Sequence, residues 1–140
     1  MRTVEFTILK RLPDHNRYDR MHYGDQGNLQ ELWKWLIFEA IRNVGFRHIG
    51  NTPYFLSKVK VDVTLYVKDK RGFRDEANLE AMVDKLILDR LFWKKYKGQP
   101  KAPVIHLLVD DSKEYVTWGK IKQLVDTPER VHIKMTEVEG

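Results

Sequence analysis

Lys58-Val59-Lys60-Val61-Asp62-Val63-Thr64-Leu65-Tyr66-Val67-Lys68 is the stretch on which the fold turns. Val59, Val61, Val63, Leu65 and Val67 alternate with polar residues without a fault. Side chains on a strand point to opposite faces in turn, so this spacing predicts a strand over 58–68 with one apolar face. The same period occurs upstream, where Val4, Phe6 and Ile8 alternate with Glu5 and Thr7. Downstream, Val104 to Val109 reads as a buried strand running into Asp110 and Asp111. Two further strand-like runs follow, Tyr115 to Leu124 and Val131 to Val138, with Val131, Ile133 and Met135 on one face of the latter.

Between the strands the period changes to that of a helix. Leu29, Leu32, Trp33, Leu36, Ile37, Ala40, Ile41 and Val44 recur at helical spacing and read as a core-facing stripe. Asn28 with Glu31 resembles a capping box at the start, and Gly45 stands where a left-handed C-terminal residue is expected. Leu79, Met82, Val83, Leu86 and Ile87 form the stripe of a second helix. Pro13 to Gly27 reads as a long polar, basic and aromatic loop, Lys70 to Asn78 as a charged turn, and Tyr96 to Pro103 as another loop. Loops of such length inside a compact domain are commonly functional. The order β-α-β-α-β-β-β predicts a single α+β domain over residues 1–140, a mixed sheet packed with two main helices.

Composition narrows the chemistry. The 140 residues are 42% hydrophobic and 32% charged, which suits a globular core and not a disordered chain. There is no cysteine, which excludes disulfides, thiolate zinc sites and thiol catalysis and fits a reducing cytoplasm. No signal peptide is read in the first residues, and no apolar run approaches the roughly 18–20 residues that span a bilayer, so a soluble intracellular protein without a membrane partner is expected. A net charge of +5 favours polyanionic partners, because phosphates neutralised by Lys or Arg release counterions.

The five histidines show neither an i,i+4 pair nor a cysteine partner, so they do not form a zinc motif. Phosphate-loop, dinucleotide and nucleophile-elbow signatures are missing, and neither Ser57 nor Ser112 has a triad context. The carboxylates say more. Asp75 and Glu76 stand between the strand of residues 58–68 and the second helix, and Asp110 and Asp111 end another apolar run. Strand ends open into crevices, and Mg²⁺ takes one or two carboxylates together with water and phosphate oxygen. A basic protein with such a cluster has what phosphodiester hydrolysis requires. Capping is the competing role, since a carboxylate at a helix start satisfies free N–H groups and favours the dipole.

Three segments, in order, resemble the RusA-like family of Holliday-junction endonucleases. Leu12-Pro13-Asp14-His15-Asn16-Arg17-Tyr18-Asp19-Arg20 resembles the family's proline–asparagine–arginine–tyrosine loop after the first strand. Arg74-Asp75-Glu76-Ala77-Asn78-Leu79 resembles its Arg-Asp-x-Asp-Asn-Leu motif, and Val109-Asp110-Asp111-Ser112 its later paired aspartates. The strand over 130–138 is similar in kind and place, so the resemblance covers nearly the whole chain, with 91–105 longer than in short members.

The resemblance implies a homodimer that binds four-way DNA junctions and nicks opposing strands in recombination or repair, using Mg²⁺, or Mn²⁺ in its place. It implies a cytoplasmic setting and a phage or prophage origin. By motif position Asp75 and Asp111 are the catalytic aspartates and metal ligands, Asp110 is a neighbour that would ligate or support, and the adjacent Glu76 would join them as a metal ligand if the turn rotates it inward. Arg17, Arg20, Lys70, Arg71 and Arg74 would neutralise phosphates, with Asn16 in the same loop, and Tyr18 or Phe73 would stack on an unpaired base. Two departures stand out: Ala77 replaces the family's second aspartate, and Ala81 its lysine one turn into the helix. Lys85, a further turn along, is the candidate substitute. The alternatives are a homologue that binds junctions without cutting them, or an RNA-binding or assembly protein on the same scaffold.

Overall fold

The computed structural model describes residues 2–46, 53–91, 107–108 and 114–138. The expected α+β domain is present: a mixed four-stranded sheet with two main helices, in the order β-α-α-β-α-β-β. The alternating segment is strand β2 (Val59–Val67), and its apolar side chains are all buried. It lies in the interior of the sheet, pairing antiparallel with β4 (Arg130–Glu137) and parallel with β3 (Val116–Val125). Strand β1 (Thr3–Ile8) pairs antiparallel with β4 at the far side. The strand order is therefore β1-β4-β2-β3.

A parallel pair needs a long crossover, and helix α3 (Glu76–Leu86) lies in the connection from β2 to β3. The next connection is short, and it carries the chain past the C-terminal end of β2, from one neighbour of that strand to the other. There the Asp126 N–H donates to the Val67 carbonyl at 2.9 Å, and the Lys68 N–H to Glu129 Oε1 at 3.1 Å.

Two helices precede β2. Helix α1 (His15–Asp19) and the first turns of α2 (Tyr23–Asn43) occupy the segment expected to be a loop. Asp14 caps α1 by accepting from the N–H groups of Asn16 and Arg17 at 2.9 and 3.4 Å. His22, not Asn28, caps α2, its Nδ1 accepting from the Gly24 N–H at 3.1 Å. The extra turn and a half is polar and solvent-facing, so it carries no apolar stripe to mark it as helical. Trp33, Ile37, Ala40 and Ile41 are buried as expected, whereas Leu32 and Val44 are exposed at the margin of the stripe. Gly45 does end α2 with φ +81°, the left-handed geometry that suits glycine.

Helix α3 starts three residues before the apolar stripe does, at Glu76 and not Leu79. Its Leu79, Met82, Val83 and Leu86 join the apolar faces of β1, β2 and β4 and of α2 in one core. Leu107 and Leu108 are buried in it too; the Phe55 N–H donates to the Leu107 carbonyl, and both leucine N–H groups donate to the Leu91 carbonyl. The rest of the expected strand at 104–109, Asp110, Asp111, the 96–103 loop, His48 and His106 lie outside the described residues. No helix among the described residues is long and apolar enough to cross a membrane.

The pairing of β2 with β3 contains a bulge, in which Asp62 faces both Gly119 and Lys120. A Cβ on Gly119 would stand 2.0 Å from Asp62 Oδ1 and 2.9 Å from Lys60 Cγ. Gly119→Ala is therefore expected to displace Asp62 from the Lys120 N–H it accepts at 2.7 Å, at a cost of about 1–2 kcal/mol. In an Asp62→Ala background most of that cost disappears, as a double-mutant cycle of urea midpoints will show.

Candidate active site and nucleic-acid interface

The site is assembled from the chain after β1, the start of α3 and a side chain of β3. Arg74, partly buried, carries the junction. Its Nη1 donates to the Pro13 carbonyl at 2.6 Å, and its Nη2 donates to the Leu12 carbonyl. Its backbone is held as well: the Arg74 N–H donates to Gln123 Oε1 at 2.8 Å, and Gln123 Nε2 donates to the Arg74 carbonyl at 2.6 Å. Burial pulls the guanidinium below the ordinary arginine value, while the charge of Asp14 works in the other direction. Arg74 is thus a bracket between three segments, and its donors are engaged by the protein itself.

Asn78 forms the second tie. Its Oδ1 accepts from the His15 N–H at 3.1 Å, and its Nδ2 lies 3.5 Å from Asp14 Oδ2. Burial works against the Asp14 charge. The N–H groups of Arg17 and Asn16, the Asn78 amide and the Arg74 guanidinium together outweigh it and hold the carboxyl below its ordinary range. The two motifs at 12–20 and 74–79 therefore meet in space, joined by the side chains of Arg74, Asp14 and Asn78, while Gln123 ties the second motif to β3.

Asp75 performs the capping role. Its Oδ1 accepts from the Asn78 N–H at 2.7 Å, at the N-terminus of α3. The residue is exposed, and Oδ2 makes no hydrogen bond to the described residues. Glu76 opens the first turn, also exposed. One turn further, Glu80 is held above the ordinary carboxylate range, by burial and then by the like charge of Glu76. Among the described residues no three metal-binding side chains converge. Asp75 and Glu76 alone thus do not complete a magnesium site, and Asp110 and Asp111 lie outside the described residues.

Ala77 and Ala81 share one face of α3 and line a groove of about 630 Å³, together with Glu80, Asp84 and, across from them, Trp118. A longer side chain at either alanine would project into this space. Lys85 does not occupy it: its ammonium stands 3.4 Å from Asp19 Oδ1 and 5.6 Å from the centroid of the Tyr18 ring. Glu80 and Asp84, three and seven residues after Ala77, carry the acidity of the groove. The sequence signal for them was their helical spacing from that alanine.

The basic residues divide into two kinds. Arg17, Arg20 and Lys70 are exposed, as is Asn16. Arg20 Nε donates to the Asn16 carbonyl at 3.2 Å. Arg71 is exposed but pairs with Asp69 at 3.1 Å, and that bond is the largest cause holding the Asp69 carboxyl below its ordinary range. Phe73 is 40% exposed, so part of its ring faces solvent. Tyr18 is 3% exposed, its hydroxyl accepting from Gln30 Nε2 at 2.6 Å. Tyr18 thus packs in the core as placed, and a base reaches its ring only if α1 moves.

No protein-family model matches the chain, and no curated protein matches it.

Capping and catalysis can be separated at Asp75, because asparagine caps a helix about as well as aspartate. Asp75→Asn is expected to leave the melting temperature unchanged, whereas Asp75→Ala should cost about 1 kcal/mol. Asp14 gives a pH signature. Folding lowers its pKa from 3.8, so its stabilisation is full above that value and is lost as pH falls through the lower, folded-state value. The gap in urea midpoint between wild type and Asp14→Asn should be constant near neutrality and shrink only below pH 3.8.

Proposed function

We propose that the protein is a Mg²⁺-dependent, structure-selective endodeoxyribonuclease of the RusA-like kind, acting as a homodimer on four-way DNA junctions. One observation carries the reading: the motifs at 12–20 and 74–79, remote in sequence, are tied together by Arg74 and Asn78. That linkage sets the carboxylate of Asp75 beside a segment bearing the exposed cations Arg17 and Arg20, and Lys70 precedes it by a single short turn.

In this reading the Oδ2 of Asp75, which no described residue engages, and the carboxylate of Asp111 hold the metal, with Asp110 in support. Two carboxylates suffice for Mg²⁺ when water and phosphate oxygens complete the shell. The ion, when bound, activates a water and offsets charge on the phosphodiester under attack. The chain's own part is positional. Arg74 and Asn78 fix the segment that bears Asp75, and Arg17, Arg20 and Lys70 bind flanking phosphates. Of Tyr18 and Phe73, Phe73 is the one whose ring is exposed and can meet an unpaired base.

A second reading, junction binding without cutting, is favoured by two features. Ala77 offers no ligand where the resembled family has an aspartate, and one oxygen of Asp75 is engaged as a cap. The test is nicking of a labelled immobile junction at about 10 mM Mg²⁺, suited to a weak site that keeps its waters. Wild type should give symmetrical nicks, and Asp75→Asn and Asp111→Asn should abolish them with junction affinity retained. Binding without nicks in Mg²⁺ or Mn²⁺ would sink the nuclease reading, and a gain of cutting in Ala77→Asp would then mark a weakened site.

A further inference from the structure

We propose that the open face of the sheet is a separate surface that binds the sugar–phosphate backbone of nucleic acid. The inference does not rest on nuclease activity. The helices pack on one face of the sheet, and the alternate residues of every strand point to the other. Pairing lays these residues out in rows. Glu5, Lys134 and Asp62 stand side by side across β1, β4 and β2, and Thr7, His132, Thr64 and Lys122 form the adjacent row. Lys60, Lys120, Lys122 and Lys134 line one shallow depression of about 400 Å³ and are all exposed.

Charge on this face is uneven. None of these lysines makes an ion pair with a described residue. The two acids among them are already engaged. Glu5 Oε1 lies 2.6 Å from His132 Nε2, and Asp62 Oδ1 accepts from the Lys120 backbone N–H at 2.7 Å. Strands lie about 4.8 Å apart and alternate residues about 6.7 Å apart, so the ammonium groups form a grid rather than a point site. Such a grid matches a run of phosphates and not a single small anion.

The surface chemistry selects among polyanions. The depression is lined by charged side chains, threonine and histidine, with no apolar wedge to enter a bilayer. A second copy set against it would oppose lysines with lysines. Tyr66, the aromatic residue of β2 on this face, is covered by the Arg130 guanidinium at 3.7 Å from the ring centroid, so it offers no stacking platform. The binding is therefore to backbone and indifferent to base sequence.

The experiment is fluorescence anisotropy of a labelled linear duplex and a labelled junction over a range of salt, in EDTA so that cleavage plays no part. The triple variant Lys60→Gln, Lys122→Gln, Lys134→Gln is compared with wild type and with the corresponding triple arginine variant. Loss of three phosphate contacts should lower the slope of log K against log salt by about 2.7. Affinity at low salt should fall at least tenfold on both DNAs, and the arginine variant should retain both properties. Equal slopes and affinities in the glutamine variant and wild type, with circular dichroism unchanged, would overturn the proposal. So would wild type that binds phosphatidylserine vesicles but neither DNA, or that self-associates through these lysines without binding DNA. Loss of nicking alone, in the assay described above, leaves this inference standing and removes the other.

Discussion

The guanidinium of Arg74 is the constraint on which the candidate site depends. A cation withdrawn from water costs several kcal/mol unless its donors are satisfied. Here they meet the Leu12 and Pro13 carbonyls, with the charge of Asp14 nearby. Hydrogen bonds to a charged group are worth about 1.5–3 kcal/mol each, enough to offset desolvation when two are made. The planar fork suits two adjacent carbonyls in a way that a lysine ammonium does not. Because Gln123 grips the backbone of the same residue, displacement of Arg74 would loosen β1, α3 and β3 together. The residue is better described as the fastener of the site than as a phosphate ligand.

Most of the fold was legible because burial writes a period into the chain. The faultless alternation of 59–67 belongs to an interior strand, whose every second side chain must face the helices. The stripes of α2 and α3 were equally plain. What sequence reading missed was structure without an apolar stripe: α1 buries Tyr18 alone, the first turn and a half of α2 is polar, and both are ordered by caps at Asp14 and His22. Capping by a histidine ring leaves no familiar signature. Polar residues between Pro13 and Gly27 therefore looked like a loop.

The candidate site was legible in part, for a different reason. The motifs at 12–20 and 74–79 were visible as residues, and their meeting draws on a contact of Asp14 with Asn78 that nothing in the spacing marks. Both functions open to Asp75, helix cap and metal ligand, are legible in its position before α3. Geometry fills one of them, the cap, and leaves an oxygen for the other. The small side chains at Ala77 and Ala81 have a spatial counterpart in the groove they line, where Glu80 and Asp84 now supply the acidity. The cations on the open sheet face escaped notice because the polar half of an alternating strand is usually read as mere solvation.

The bulge opposite Asp62 has a bearing on how this protein keeps its copies apart. Among the described residues strand β3 stands at the edge of the sheet, and Leu124 and Val125 lie exposed along it. A flat edge of that kind templates further strands and seeds aggregation. The two-for-one mismatch at Gly119 and Lys120 breaks the regular repeat that an incoming strand would need, and Lys120 and Lys122 add charge beside it. The same irregularity that gives Asp62 its backbone donor thus guards the border of the sheet against growth from one molecule to the next.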